Sequence, residues 1–330
     1  MTSAASRPDD TRRRQLLAGK LSALAREHRG SLSEPQVGEF GGGAALLVDA
    51  EAWVLLDERP EQGLGAAMAW ALRRNAAVVN LLAEGGTGCL ARRAIGWTPT
   101  VRVWQVAERT LQAARPEPLV AAMPPPDGHM AFATLISESG ALPVIEFGVL
   151  TGEVDGLEVC RVVTDPATGA ARLEVGVGAH DREAFQLLHG DRPTAESLAE
   201  VVRFVGSHRR PGATRHPLNL LAQERALRCR LVADSALIGA QLVVPVAPPV
   251  PRTNVKDAVP CVALATIDGA RVTVVCSTGI DLDVVPFAVD ALAAGGSDRC
   301  VVVMPPRDAI DIQRQLTIAA PGSIEIMPIN

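Results

Sequence analysis

Two stretches of this chain, 44–106 and 262–327, set out hydrophobic runs in the same order and at similar lengths. In the first, 44–49 and 52–56 read as the strands of a hairpin that turns near Ala50 and Glu51. A helix at 63–74 follows, with Leu64, Met68, Ala71 and Leu72 on one stripe, then an apolar strand at 77–83 suited to burial on both faces. A second helix at 88–95 and a strand at 100–106 complete the unit. In the second stretch, 262–267 and 271–276 form a hairpin around Asp268 and Gly269, followed by a helix at 282–293, a strand at 300–304, a helix at 308–318 and a strand at 324–327. The two series correspond at an offset of about 219–223 residues, so that Asp49 answers Asp268 and Val78 answers Val301. Few residues are identical, so the correspondence rests on order and length. It constrains the chain to the α/β class: two similar hairpin–helix–strand–helix–strand units flanking a central α+β segment.

The remaining boundaries follow from changes in texture. Residues 1–30 are expected to be a polar tail and a helix at 11–28, with Leu16, Leu17, Leu21, Leu24 and Ala25 on one side. The first unit then occupies 31–122, the central polar segment 129–236 and the second unit 237–330, with Pro-rich connectors at 123–128 and 246–260. Within the central segment, 152–163 and 171–178 read as a strand pair turning at 165–169. Helices are expected from 181, at 194–206 and at 217–232, the last with Pro217 in its first turn.

A formal net charge of -5 excludes a globally basic nucleic-acid binder, though not a local basic patch. Lys20 and Lys256 are the only lysines, and the arginine bias is that of a GC-rich bacterial genome rather than of a mechanism. The six cysteines include no CxxC pair, and several sit in apolar runs, as expected of buried thiols in a reducing compartment. No apolar run approaches the roughly 18 residues of a transmembrane helix. Arg12, Arg13 and Arg14 precede Leu16 and Leu17, but no signal-peptide apolar region follows. A cytoplasmic protein that does not engage a membrane is expected.

The central hairpin carries the sharpest chemical argument. With Thr164 opposite Ala170, Cys160 faces Glu174 and Glu158 faces Gly176, so Glu158 and Glu174 become diagonal neighbours on one face. Two carboxylates so placed repel unless a cation lies between them: a divalent metal such as Mg²⁺ or Mn²⁺, or an arginine such as Arg172 or Arg182. His180 and Asp181 follow the second strand directly, after Gly176 and Gly178, where side chains would block close approach. His180 is a candidate ligand or general base, and Asp181 either a helix cap or a catalytic partner. The stretch 207–217 is basic and free of acids, and Arg209, Arg210 and Arg215 before a helix start suit phosphate recognition. It lacks the interleaved aromatics of a single-strand binder. The Gly-rich turn at 84–88 matches no phosphate-loop pattern, and Asp281 and Asp283 suit capping of the helix they precede.

The order helix–strand–strand–strand–helix–strand around 217–304 resembles the metal-dependent restriction-endonuclease-like core. The Asp…Glu-x-Lys signature of that core is missing, because the relevant strand reads Val-Thr-Val-Val-Cys-Ser. The likeness is one of topology and implies no function. From the residues themselves, the leading expectation is a protein that binds a phosphate-containing ligand or nucleic acid. Glu158 and Glu174 would hold a metal, His180 would act as base or extra ligand with Asp181 as the other catalytic residue, and Arg209, Arg210 and Arg215 would hold phosphate. Such a set would support in-line hydrolysis of a phosphoester by metal-bound water. The alternative is a non-enzymatic protein-binding or assembly protein, for which a homo-oligomer is one form.

Overall fold

The computed structural model describes residues 8–179, 181–184, 194–210, 212–214, 216–252 and 258–330. The chain begins with α1 (Pro8–Arg29), β1 (Gln36–Gly38), β2 (Gly43–Val48), β3 (Glu51–Leu56), α2 (Leu64–Leu72), β4 (Val78–Ala83), α3 (Thr87–Arg93), β5 (Thr100–Ala107) and β6 (Thr110–Ala113). The middle supplies α4 (Ala133–Glu138), β7 (Leu142–Glu146), β8 (Val149–Val154), β9 (Leu157–Thr164), β10 (Ala171–Val175) and α5 (Thr194–Arg209). Then come α6 (Gln223–Ala233), β11 (Leu242–Val246), β12 (Cys261–Ile267), β13 (Ala270–Cys276), α7 (Val284–Gly295), β14 (Arg299–Met304), α8 (Asp311–Ala319) and β15 (Ser323–Pro328). The fold is α/β. Among the described residues no helix is long and apolar enough to cross a membrane.

Contacts divide the chain into two compact units. One holds residues 1–119, 281–290 and 310–325; the other holds 120–280, 291–309 and 326–330.

The first unit is built on a six-stranded sheet in the order β1-β2-β3-β4-β5-β6. β2 and β3 form a hairpin whose turn is Asp49 and Ala50, one residue earlier than expected, with Asp49 in the left-handed region at φ 53. β3, β4 and β5 then run parallel. β4 is flanked on both sides and buried from Val79 to Ala83, which is why its sequence is nearly all apolar. α1 lays Leu21, Leu24 and Ala25 onto Ala44, Leu46, Trp53 and Leu55, while Leu16 points out to solvent. The expected stripe is therefore narrower by one residue.

The second unit contains two sheets. Five strands run in the order β11-β12-β13-β14-β15, with β12 and β13 antiparallel and β13 and β14 parallel. That is the pairing sequence of β2, β3 and β4. The β12–β13 turn is Asp268-Gly269, both at positive φ, the backbone of a two-residue hairpin. The other sheet, in the order β10-β9-β8-β7, is entirely antiparallel. Its apolar face packs Leu157, Val159, Cys160 and Val162 against Ile136 of α4 and Leu198 and Val205 of α5.

Three expectations in this unit give way. The single strand expected at 152–163 is two strands, because Asp155 and Gly156 take φ 44 and 78 and turn the chain between β8 and β9. The helix expected at 217–232 is a short 3-10 turn, Pro217–Leu220, followed by α6; Ala222 at φ 49 separates them. The 165–169 turn is longer by one residue, since Thr164 pairs with Ala171. Its Asp165 side chain accepts hydrogen bonds from the amides of Ala167 and Thr168, 3.0 and 2.9 Å, which fixes the wider loop.

Candidate functional site

The shifted register changes the neighbours of both nominated carboxylates. Glu174 lies opposite Arg161, not Cys160. By alternation alone this would put Glu158 and Glu174 on opposite faces. A bulge reverses that result: Cys160 pairs with Gly152 and Glu158 with Glu153, leaving Val159 as an extra residue on β9. Glu158 and Glu174 therefore do come together, and an arginine joins them. Arg182 places Nη1 3.0 Å from Glu158 Oε1 and Nε 3.6 Å from Glu174 Oε2. Arg161 grips both oxygens of Glu158 at 2.9 and 3.1 Å, and Arg172 donates to Glu174 at 2.7 Å. All four carboxylate oxygens thus face guanidinium groups. Among the described residues no group of three His, Cys, Asp or Glu side chains is arranged to hold a metal ion.

Gly176 explains how Arg182 arrives. At φ 137 it lets the chain fold back so tightly that a Cβ there would sit 2.9 Å from the Arg182 amide. Gly176 thus admits the chain's own backbone, while the Cβ position of Gly178 is open and its φ of 82 serves the turn. The Asp181 carboxylate accepts from the Val177 amide at 2.8 Å and closes this turn. His180 lies outside the described residues.

The same sheet carries a deeper ionic cluster that the sequence reading missed. Glu146 of β7 and Glu153 of β8 meet Arg225 and Arg228, one helical turn apart on α6. The side chains of Glu153 and Arg228 are both 0 % exposed. An alternation of charge on short strands facing two arginines spaced i, i+3 was the only sequence signal for it.

The basic segment separates into different roles. Arg209 is half-buried and clamps main-chain carbonyls: Asp155 at 2.7 and 3.1 Å, Leu221 at 2.9 Å, and Leu218. Burial lowers its pKa. It is therefore committed to holding the β8–β9 turn and the 3-10 turn in place. Arg210 is exposed at the end of α5. Arg215 lies outside the described residues.

Near the C-terminal end of α5 the fold assembles what the linear sequence lacked, a group of rings. Phe204, 55 % exposed, lies 4.6 Å from the His208 ring, and His208 lies 4.2 Å from His216 between ring centroids. Phe204 and His208 are four residues apart on α5 and so share a face. His216 arrives from the loop that leads into the 3-10 turn. The backbone sets both tautomers. A carbonyl only accepts, so His208 Nδ1 must donate to Phe204 O at 2.8 Å, leaving its neutral Nε2 with a lone pair. An amide only donates, so His216 Nδ1 accepts from Leu218 N at 3.3 Å, and its neutral Nε2 carries the proton. Among the described residues neither Nε2 has a hydrogen-bond partner. The pair presents an acceptor beside a donor, next to the exposed ring of Phe204, on a stretch of chain that also carries the exposed Arg203 and Arg210.

In the first unit, Asp281, Asp283 and Asp290 surround Arg93. Arg93 bonds Asp283 at 2.9 Å and Asp290 at 2.7 Å, and Arg92 grips Asp290 at 2.9 and 3.0 Å. Asp283 also accepts from the Gly65 amide at 3.1 Å. Burial raises the Asp283 pKa to about 6, with Arg93 pulling the other way. Asp281 accepts from the Asp283 amide at 2.8 Å, the bond of a local turn. This is a structural cluster.

Compared with known protein families, with curated proteins and with solved structures, the chain matches none.

Proposed function

We propose that this chain binds a phosphate-bearing ligand with a ring, best suited by a short run of single-stranded nucleic acid, at the C-terminal end of α5. The observation that carries the reading is the Phe204–His208–His216 ring group on a segment whose Arg210, two residues after His208, is exposed. Bases stack on exposed aromatic rings irrespective of sequence, and a neighbouring arginine meets the phosphate. A nucleobase edge presents a donor next to an acceptor, which complements the two Nε2 atoms of opposite tautomer. The metal-dependent hydrolytic step is not carried into this reading, because arginines already engage Glu158 and Glu174 on every oxygen.

The test is fluorescence anisotropy with a labelled oligo-dT and an oligo-U at low salt, followed by a salt titration. The wild type should bind, with affinity falling as salt rises. Phe204→Ala should weaken binding by about 1–3 kcal/mol, the usual worth of one stacked base, with the far-UV circular dichroism unchanged. No binding by the wild type, or equal binding by Phe204→Ala, refutes the proposal and returns the weight to a protein-binding or assembly role.

A further inference from the structure

β12 opens on Cys261 and β13 closes on Cys276, and the ladder pairs these two residues directly. Directly opposed residues of antiparallel strands have Cα atoms about 4.5–5.5 Å apart, within the roughly 4.4–6.8 Å that a disulfide spans. Paired residues also share a face, and both side chains enter the same core with Ala263, Val274 and Val303. Cys276 is within hydrogen-bond reach of the Cys261 sulfur. Cys261 in turn donates its S–H to the Glu224 carbonyl at 3.2 Å. Cys300 is not a rival, since β14 pairs Val303 with Cys276 and Cys300 lies three residues away, on the other face by alternation.

We propose that Cys261 and Cys276 form a modification site, a cross-strand dithiol that a two-electron oxidant of the peroxide class converts to a disulfide. The balance is simple. One sulfur attacks a peroxide oxygen, the O–O bond breaks, and a sulfenic acid and water result. The second thiol attacks that sulfur, the S–O bond breaks, and a second water leaves. The protein loses two hydrogen atoms and the peroxide is reduced to water. Both thiols are buried, so the reaction proceeds through opening of the strand ends and is slow. Oxidation removes the donor to the Glu224 carbonyl, at the start of the helix that carries Arg225 and Arg228.

The experiment is treatment of the folded full chain with hydrogen peroxide, removal of the oxidant, alkylation of remaining thiols and tryptic mapping. Cleavage after Lys256, Arg271 and Arg299 places Cys261, Cys276 and Cys300 on three different peptides. The expected result is one product in which peptides 257–271 and 272–299 are joined, separable by dithiothreitol. Unlinked peptides carrying sulfinate, sulfonate or alkyl groups overturn the proposal. So does a crosslink from either cysteine to a different one. So does recovery of both thiols unmodified after an exposure long enough for the backbone amides at the ends of β12 and β13 to exchange fully with deuterium in a parallel sample. The mapping needs no variant, so a cysteine substitution that fails to fold does not affect it.

Discussion

Replacing Arg93 by leucine would remove a guanidinium that is 3 % exposed and bonded to two buried carboxylates. The losses are unequal. Asp290 keeps Arg92 on both oxygens. Asp283 keeps only the Gly65 amide. The cost therefore concentrates on Asp283 and should be about 3–5 kcal/mol at pH 7.5, the usual penalty for stripping a buried charge of its partner. Its pH dependence has a definite sign. The folded-state pKa of Asp283 is raised from 3.8 to about 6, chiefly by burial. The native state thus holds its proton more tightly than the unfolded state between those values. This term favours the fold fully below pH 3.8 and is lost as pH rises through about 6; at 1.36 kcal/mol per unit it amounts to about 3 kcal/mol in the wild type. Without Arg93 the pKa rises further. The variant should then recover stability on going from pH 7.5 to 5.5, and the gap to wild type should narrow. Urea unfolding followed by tryptophan fluorescence is a selective assay. All four tryptophans, Trp53, Trp70, Trp97 and Trp104, lie in the first unit, and the chain has no tyrosine. A loss below about 1 kcal/mol, or an equal loss at both pH values, would refute the electrostatic reasoning.

Two further perturbations probe the second unit. Arg209→Ala leaves the carbonyls of Asp155, Leu218 and Leu221 without their donor; at about 1–3 kcal/mol per orphaned buried group, amide exchange at 216–221 should accelerate while overall helicity is retained. Glu153→Ala leaves Arg225 and Arg228 with Glu146 as their remaining carboxylate partner and should lower stability by about 1–3 kcal/mol in thermal melts followed by circular dichroism, whereas the double variant Glu153→Leu with Arg228→Met should recover part of the loss.

Much of the fold was legible because helix and strand periods are local properties. The apolar runs at 77–83 and 300–304 identified two central strands, observed at Val78–Ala83 and Arg299–Met304, and Asp268-Gly269 identified a hairpin turn. Asp155-Gly156 carried the same turn signal inside a run read as one strand, so β8 was not separated from β9, and β7 was not read. The juxtaposition of Glu158 and Glu174 was expected for an incomplete reason. The register was off by one residue, and the extra residue Val159 shifted the alternation back. Neither the Asp165 side-chain bonds nor a bulge is written in a two-residue alternation.

The sequence by itself determined the α/β class, the order of elements in both outer stretches and the amphipathic faces, since each depends on residues a few positions apart. The tertiary structure decided which charges are spent and which are left over. Arg182, Arg209 and Arg228 look alike in a linear reading. Yet they bridge two carboxylates, clamp carbonyls from two separate segments, and sit buried against strands about 80 residues away. His216 joins Phe204 and His208 only because the loop after α5 folds back. Ion pairs and ring clusters depend on distances of a few ångströms between segments far apart in sequence, and those distances are set by register, bulges and tight glycine turns.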